Sequence, residues 1–503
     1  RPGVALYLSN LGNALLALGD VAGAEAAYQQ AVRADPKHGD AWNNLGALYL
    51  RRGDLDAADE ALRVALRLRP GPLVHANLGD VRVEEGALDE AAHHYDVAAR
   101  ALPANRYKAA MLLTPIVDSE ADIDAQRAHY AARLDALEQD PPPLSDPSVE
   151  VGSRAFYLAY HGRDDRALQA RLARLMVRAC PSLGWQAPHC ASYRGPGPRI
   201  RVGVCSAYLH RHTIGKLYRG LIEHLDRRRF EVLVLRPPGP ADDLSAAIDA
   251  AADGVVGLSA HLATARRQVA DLALDVLFYP DIGMNPQTVY LAYARLAPVQ
   301  CVSWGHPDTT GIPNLDVFVS GPGLEPPGAE AHYTERLVQL PRLPVCYAAP
   351  APVTAPLTAA DLGLPTDARL YACPQSLFKL HPRFDPVLRD LLAADPQAHV
   401  LLIEGPRPAW DERLRRRLAL HLDPDALRRV VALPRMPTPR FQQLLAGADV
   451  VLDPPYFGGG NSTFEALAHG APVVTWPGPF MRGRVTAACY AAIGVDDAVA
   501  TDL

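Results

Sequence analysis

Residues 453–465 run Asp-Pro-Pro-Tyr-Phe-Gly-Gly-Gly-Asn-Ser-Thr-Phe-Glu, an order suited to holding an anion. The apolar run 450–452 reads as a strand, Gly458, Gly459 and Gly460 as a turn, and Asn461, Ser462 and Thr463 as the opening of a helix. That arrangement aims unpaired backbone N–H groups and the positive end of a helix dipole at one point, the environment a phosphate needs. Three consecutive glycines allow close backbone approach, and Glu465, one turn in, is placed to accept hydrogen bonds from ribose hydroxyls. The stretch lacks Gly-Lys-Ser/Thr and is not a GxGxxG fingerprint, which weakens triphosphate and dinucleotide readings. An ordinary glycine-rich strand-to-helix turn has the same composition.

Other groups in the same half carry chemistry. Lys379, in Gln375-Ser-Leu-Phe-Lys-Leu-His-Pro382, follows a run expected to be a strand; a cation there can neutralise the charge building on a departing nucleoside diphosphate. Most lysines are solvated, but few follow a pair as apolar as Leu377 and Phe378. His212, in the loop 206–215, can accept or donate a proton, or is a plain surface residue. Residues 302–311 put another turn of small and polar groups after a strand: Gly305 and Thr309 can line a sugar pocket beside His306, or the segment is a plain turn with Trp304 in the core. Within 434–441 lie Met436 and Phe441, where an aromatic can stack on a base.

These groups sit at the ends of β-rich runs. One set lies at 200–205, 230–235, 274–279, 299–304 and 315–319, a second at 370–373, 399–403, 430–433, 450–452 and 473–476. Helix-length segments between them argue for parallel sheets with right-handed crossovers. Two Rossmann-like domains are therefore expected, at 198–350 and 351–503, joined through the proline-heavy linker 341–365. A ligand belongs in the cleft facing the carboxyl ends of both sheets.

The amino-terminal part is repetitive. Asn10-Leu11-Gly12, Asn44-Leu45-Gly46 and Asn77-Leu78-Gly79 recur at spacings of 34 and 33, followed in phase by Ala24, Ala58 or Ala91, then Tyr28, Leu62 or Tyr95, then Ala31, Ala65 or Ala98, then Pro36, Pro70 or Pro103. This is the tetratricopeptide pattern, over 1–106, and predicts a helical solenoid with a concave face. Asn10, Asn44 and Asn77 fall in a row, able either to grip the backbone of an acceptor polypeptide or only to tie adjacent repeats together. Residues 107–138 stay helical without the consensus, 141–147 break, 153–178 are helical again and 181–198 break once more. Together 107–197 read as a helical cap and linker.

Composition narrows the class. The 503 residues suffice for roughly three domains. With 49% hydrophobic and 21% charged residues and a net charge of −6, nothing indicates a basic face for nucleic acid. No apolar run reaches the length of a membrane span. Seven cysteines, at 180, 190, 205, 301, 346, 373 and 489, form no CxxC or metal spacing, and are expected to be reduced and buried, favouring the cytoplasm. Neither Arg1, already close to a helical pattern, nor Leu503 reads as a natural terminus.

Taken together, the chain resembles the tetratricopeptide-containing O-linked N-acetylglucosamine transferases, including the SPINDLY-like group of glycosyltransferase family 41. The specific matches are Ala-Pro-Val-Gln-Cys-Val-Ser-Trp-Gly-His-Pro-Asp-Thr-Thr-Gly at 297–311, Phe378-Lys379, and Gly-Ala-Pro-Val-Val-Thr-Trp-Pro-Gly at 470–478 with 482–485. The resemblance implies a GT-B pair of Rossmann-like domains after the solenoid. It further implies His212 as the active-site histidine, Lys379 on the donor diphosphate with Ser376 as its polar neighbour, Phe441 beside the uracil, Met436 as a backbone contact to the base, Glu465 on the ribose, and Arg295 in the catalytic cleft. Departures are visible: the family's His-Thr-Thr phosphate motif is Gly460-Asn461-Ser462 here, the proline after the active-site histidine is missing, and the helices that normally finish the second domain are omitted.

The expectation is an inverting, metal-independent transferase without a cofactor, moving one sugar, N-acetylglucosamine by resemblance, from a UDP-sugar to Ser or Thr of a protein held by the repeats. Lys379 and the N–H groups of Asn461 to Thr463 would stabilise leaving UDP, while His212 orients or deprotonates the acceptor. Alternatives are UDP-glucose transfer to asparagine, as in adhesin N-glucosyltransferases, GDP-fucose as donor, as in some SPINDLY-like proteins, a non-catalytic repeat scaffold, and a GT-B enzyme building glycans or lipid-linked sugars.

Overall fold

The computed structural model describes residues 2–152 and 155–503. Arg1, and Ser153 and Arg154 at the start of the helical region expected over 153–178, lie outside the described residues.

One compact unit comprises the chain up to Thr114 together with 135–144. Its helices pair in sequence: Pro2–Ala17 with Val21–Ala34, Gly39–Arg52 with Leu55–Leu68, and Pro72–Glu85 with Leu88–Ala99. The repeat signature has a direct cause. A Cβ on Gly12, Gly46 or Gly79 would collide with Tyr28, Leu62 or Tyr95, so these glycines set how closely each pair packs. Ala24, Ala31, Ala58, Ala65, Ala91 and Ala98 are fully buried at the same contacts. Asp20 and Asp54 cap the second helices of their pairs, accepting from Gly23 N and Ala57 N. The asparagine row does join repeats: Asn44 Nδ2 donates to Ser9 Oγ and Asn13 Oδ1, both at 3.2 Å, and Asn77 Nδ2 to Asn43 Oδ1 at 2.9 Å. Asn10 is exposed.

The helical segment expected over 107–138 is not continuous. Asn105–Ala110 ends before Pro115, and Ser119 Oγ then accepts from Asp122 N at 3.0 Å to start Glu120–Gln139. Residues 115–134 belong with 145–503 in the second compact unit, so the chain does not divide at the expected limit of 106. Ile116 lies in a core with Leu388 and Leu414, and Val117 O accepts from Arg417 Nη1 at 2.7 Å.

The second unit contains two all-parallel sheets. The first uses β1 (Ile200–Cys205), β2 (Phe230–Arg236), β3 (Gly254–Gly257), β4 (Val276–Tyr279), β5 (Val299–Ser303), β6 (Val317–Ser320) and β7 (Arg336–Gln339), ordered β3-β2-β1-β4-β5-β6-β7. The second uses β8 (Arg369–Cys373), β9 (Ala398–Ile403), β10 (Val430–Leu433), β11 (Val450–Leu452) and β12 (Val473–Val474), ordered β10-β9-β8-β11-β12. This is the expected pair of Rossmann-like lobes. In each, the order reverses beside the first strand, between β1 and β4 and between β8 and β11, which opens a crevice at their carboxyl ends. The loops carrying His212, Lys379 and the three glycines follow β1, β8 and β11.

Among the described residues no helix is long and apolar enough to cross a membrane. All seven cysteines are free; contrary to the expectation of burial, Cys346 is exposed and Cys190 and Cys301 are only half-buried, Cys190 and Cys346 lying in the two proline-rich linkers and Cys301 within β5.

Candidate functional site

Beyond β11 the chain is pulled into a tight turn by Asp453. Its buried carboxylate accepts from Gly459 N at 2.5 Å, Thr475 Oγ1 at 2.8 Å and Thr486 Oγ1 at 2.7 Å. Gly459 has no room for a Cβ, which would meet Thr463 Oγ1 at 2.5 Å and Ser462 Oγ at 2.8 Å. Tyr456 enters the turn at φ 71°, a left-handed conformation that costs a non-glycine residue about 1–3 kcal/mol. Its phenol accepts from Arg383 Nη1 at 2.8 Å and its ring packs on His381, which holds it there.

The helix Asn461–Ala468 begins where this turn ends. Asn461 N and Ser462 N have no acceptor among the described residues, whereas Thr463 N donates to Gly460 O at 3.1 Å and its hydroxyl bonds Thr486 Oγ1 at 2.9 Å. Thr463 therefore faces the interior and is removed from the expected phosphate-binding trio. Asn461 and Ser462 remain, both on the wall of a cavity of about 290 Å³.

Lys379 reaches the same cavity from the other side. It ends a 3-10 turn, Leu377–Lys379, after β8, and its Nζ donates to Gln375 Oε1 and Gly458 O, each at 2.9 Å, over the Phe457 ring at 4.8 Å. Burial pushes its ammonium down to about 8, against the opposing pull of Asp453. Gln375 Nε2 in turn donates to Ser462 Oγ at 2.7 Å, so one side chain links the cation to the start of the helix. Ser376, Phe441, Gly305, Trp304 and Glu465 line the same cavity. Met436 does not; it packs against the core around Leu433 and Leu444.

Several expected site residues are placed elsewhere. Arg295 precedes β5, at the amino-terminal edge of the sheet, where it pairs with Asp316 at 2.5 and 2.9 Å and with Asn314 at 3.2 Å. It is an anchor on the side away from the carboxyl-end crevice. His306 is buried and stacked on Phe156, centroids 5.0 Å apart; burial, then Arg482, pushes its ring down to about 4. Thr309 spends its hydroxyl on Thr334 and Glu335. Neither lines the cavity of Lys379.

His212 caps the helix Thr213–His224, its Nδ1 accepting from Ile214 N at 3.2 Å. Burial, then His210 and Lys216, pushes its pKa down to about 4, so the ring is neutral at pH 7. A neutral ring whose Nδ1 accepts carries its proton on Nε2. As placed it donates and orients, and the nitrogen that could accept a proton, Nδ1, is engaged in the helix cap. Thr213, its neighbour, is on the cavity wall.

Sequence reasoning missed Gln375, Asp453 and Lys216 as site residues. Lys216 Nζ donates to Glu465 Oε1 at 2.7 Å, and Tyr347 OH to the same oxygen at 3.3 Å. Asp453 had a signal, standing last before the prolines at a strand end; the partners of Gln375 and Lys216 lie 87 and 249 residues away.

The tetratricopeptide repeat family model matches residues 9–72. The chain is 30% identical over 209 residues to "Probable UDP-N-acetylglucosamine--peptide N-acetylglucosaminyltransferase SPINDLY" of Solanum lycopersicum, spanning 41% of this chain and 22% of that protein. It is 28% identical over 210 residues to the SEC protein of the same description from Arabidopsis thaliana, 40% of this chain and 21% of that one. A "UDP-glucose:protein N-beta-glucosyltransferase" of Actinobacillus pleuropneumoniae is 34% identical over 79 residues, 15% of this chain and 12% of the other. The chain thus spans about a fifth of the length of the plant relatives it matches. In fold it is similar to a mutant of the Thermobaculum terrenum O-GlcNAc transferase, with TM-score 0.70 and 24% identity over 99% of this chain and 87% of that one.

Proposed function

We propose that this chain, a relative of the O-linked N-acetylglucosamine transferase and SPINDLY-like family in its repeats, sequence and fold, is a glycosyltransferase moving a single sugar from a UDP-sugar to a protein side chain. The observation that carries the reading is the convergence of Lys379 Nζ and the free N–H groups of Asn461 and Ser462 on one cavity, joined through Gln375. The donor diphosphate lies on those N–H groups, and Phe441 and Glu465 take the base and ribose.

As the bond from the sugar's C1 to the diphosphate oxygen breaks, negative charge moves onto the leaving UDP, and Lys379 and the helix start offset it. The acceptor hydroxyl oxygen attacks C1 from the opposite face, inverting it, and its proton passes to water or to a donor phosphate oxygen. The Nε2–H of His212 orients the acceptor. This supply of positive charge stands in for a metal ion, so chelation with EDTA should leave the rate unchanged. The repeats hold the acceptor polypeptide, whose modified residue is Ser or Thr, and the free cysteines fit a cytoplasmic enzyme.

N-acetylglucosamine is the sugar proposed. Mass spectrometry of a candidate acceptor protein, incubated with a panel of UDP- and GDP-sugars, tests it: transfer from UDP-N-acetylglucosamine supports the reading. Transfer from UDP-glucose to asparagine or from GDP-fucose replaces the donor, and no transfer together with no UDP binding points to a scaffold.

A further inference from the structure

Glu465 stands on a wall shared by two cavities, of about 290 and 540 Å³, and its carboxylate is almost wholly buried. Its two oxygens are treated differently. Oε1 accepts from Lys216 Nζ at 2.7 Å and from Tyr347 OH at 3.3 Å, while Oε2 has no partner among the described residues. Both donors come from outside the lobe that carries Glu465. Lys216 belongs to the helix Thr213–His224 after β1 of the first lobe. Tyr347 belongs to the linker and is stacked on Phe464, centroids 5.0 Å apart and 18° between planes.

We infer that Lys216 is a positioning residue which fixes Glu465 through Oε1, presents Oε2 to a ribose hydroxyl, and so makes nucleoside recognition depend on a group from the opposite lobe. This rests on the proposed use of a UDP-sugar. A carboxylate buried without a cation is strongly disfavoured, and Lys216 supplies that cation. With the carboxylate paired and turned by Lys216, a ribose hydroxyl donating to Oε2 makes a charge-assisted hydrogen bond, stronger than a neutral one. The remaining protons of the ammonium can be offered to the ribose oxygens as well. Without Lys216 the carboxylate is free to rotate, and the preference for a hydroxylated ribose is lost, although the diphosphate cradle of Lys379, Asn461 and Ser462 is untouched.

Calorimetric titration of the full chain with UDP, 2′,3′-dideoxy-UDP and inorganic pyrophosphate tests this. The native protein should prefer UDP to the dideoxy analogue by about 10- to 100-fold, the range of a hydrogen bond to a charged group. Lys216→Met should bring the two nucleotides to within about three-fold of each other with pyrophosphate affinity unchanged, and Lys216→Arg should restore most of the preference. A Lys216→Met protein that keeps the native preference, or that loses pyrophosphate binding along with it, overturns the inference while leaving the transferase reading in place. A native protein that binds neither UDP nor pyrophosphate overturns that reading, and the inference with it.

Discussion

Lys379 carries a stability cost that its chemistry explains. Its ammonium is held down to about 8 by burial, so at pH 7 the folded protein keeps a charge the site disfavours. Between about 8 and the ordinary lysine value the unfolded chain binds more protons than the folded one, and this residue's contribution to stability therefore rises with pH across that window. Lys379→Met should accordingly leave the melting temperature at pH 7 unchanged or a few degrees higher, while turnover falls by about 1,000-fold through lost charge stabilisation. In the native protein kcat/KM should decline above about pH 8 as the free enzyme loses the proton. Calorimetry and a pH–rate profile check both; a variant that melts early yet retains near-normal turnover contradicts the assignment. That Lys379, Phe441 and Glu465 stand around one cavity was legible in the sequence because residue type suggested the chemistry and the segments after the strands suggested the place, while Ser376 came only through the family resemblance. Arg295, His306 and Thr309 were not: their roles are set by Asp316, Phe156 and Glu335, partners that no local pattern names.

At the scale of elements, the glycine turn is held by what surrounds it. Asp453→Ala would leave Gly459 N–H and the hydroxyls of Thr475 and Thr486 without their buried acceptor, an expected loss of about 2–4 kcal/mol. Hydrogen exchange over residues 457–463 should quicken, and UDP affinity should fall with it; native protection in this variant would show that the turn is held otherwise. In the solenoid, Asn44→Ala with Asn77→Ala removes the amides that join successive repeats, and should lower the cooperativity of unfolding by about 1 kcal/mol per lost bond. If the row also grips an acceptor, the triple substitution with Asn10→Ala raises KM for a protein substrate and leaves UDP affinity alone. An unchanged KM confines these residues to tying repeats. Ten strands could be read from apolar runs, whereas β3 and β7 could not: Gly254-Val-Val-Gly and Arg336-Leu-Val-Gln are four-residue outer strands with glycine or polar ends, and only pairing with β2 and β6 makes them strands.

For the whole molecule, the division of the chain has consequences that a repeat-plus-enzyme outline hides. Residues 115–134 carry no repeat consensus, yet they complete the unit that holds the site. Arg417, buried with its partner Asp385, places Nη1 on Val117 O at 2.7 Å; Arg413 pairs with Asp118 at 2.7 and 2.9 Å. Arg127 Nη1 meets Asp165 Oδ1 at 2.6 Å, and Asp165 in turn bonds Arg482, which lines the cavity of Lys379. A cut after the third repeat and a cut after the helix Glu120–Gln139 should therefore differ sharply. A protein comprising 105–503 keeps every one of these contacts, and should remain folded and bind UDP within about three-fold of the full chain while losing modification of protein acceptors. One comprising 145–503 leaves a buried guanidinium short of an acceptor and Asp165 short of a cation, defects that each cost about 3 kcal/mol or more. It should be insoluble or melt at least about 10 °C lower, with nucleotide binding lost. Equal melting and equal UDP affinity of the two pieces would mean that 115–134 only ride on the lobes, because a segment that closes a core and supports a buried charge network through Asp165 cannot be removed without a trace at Arg482.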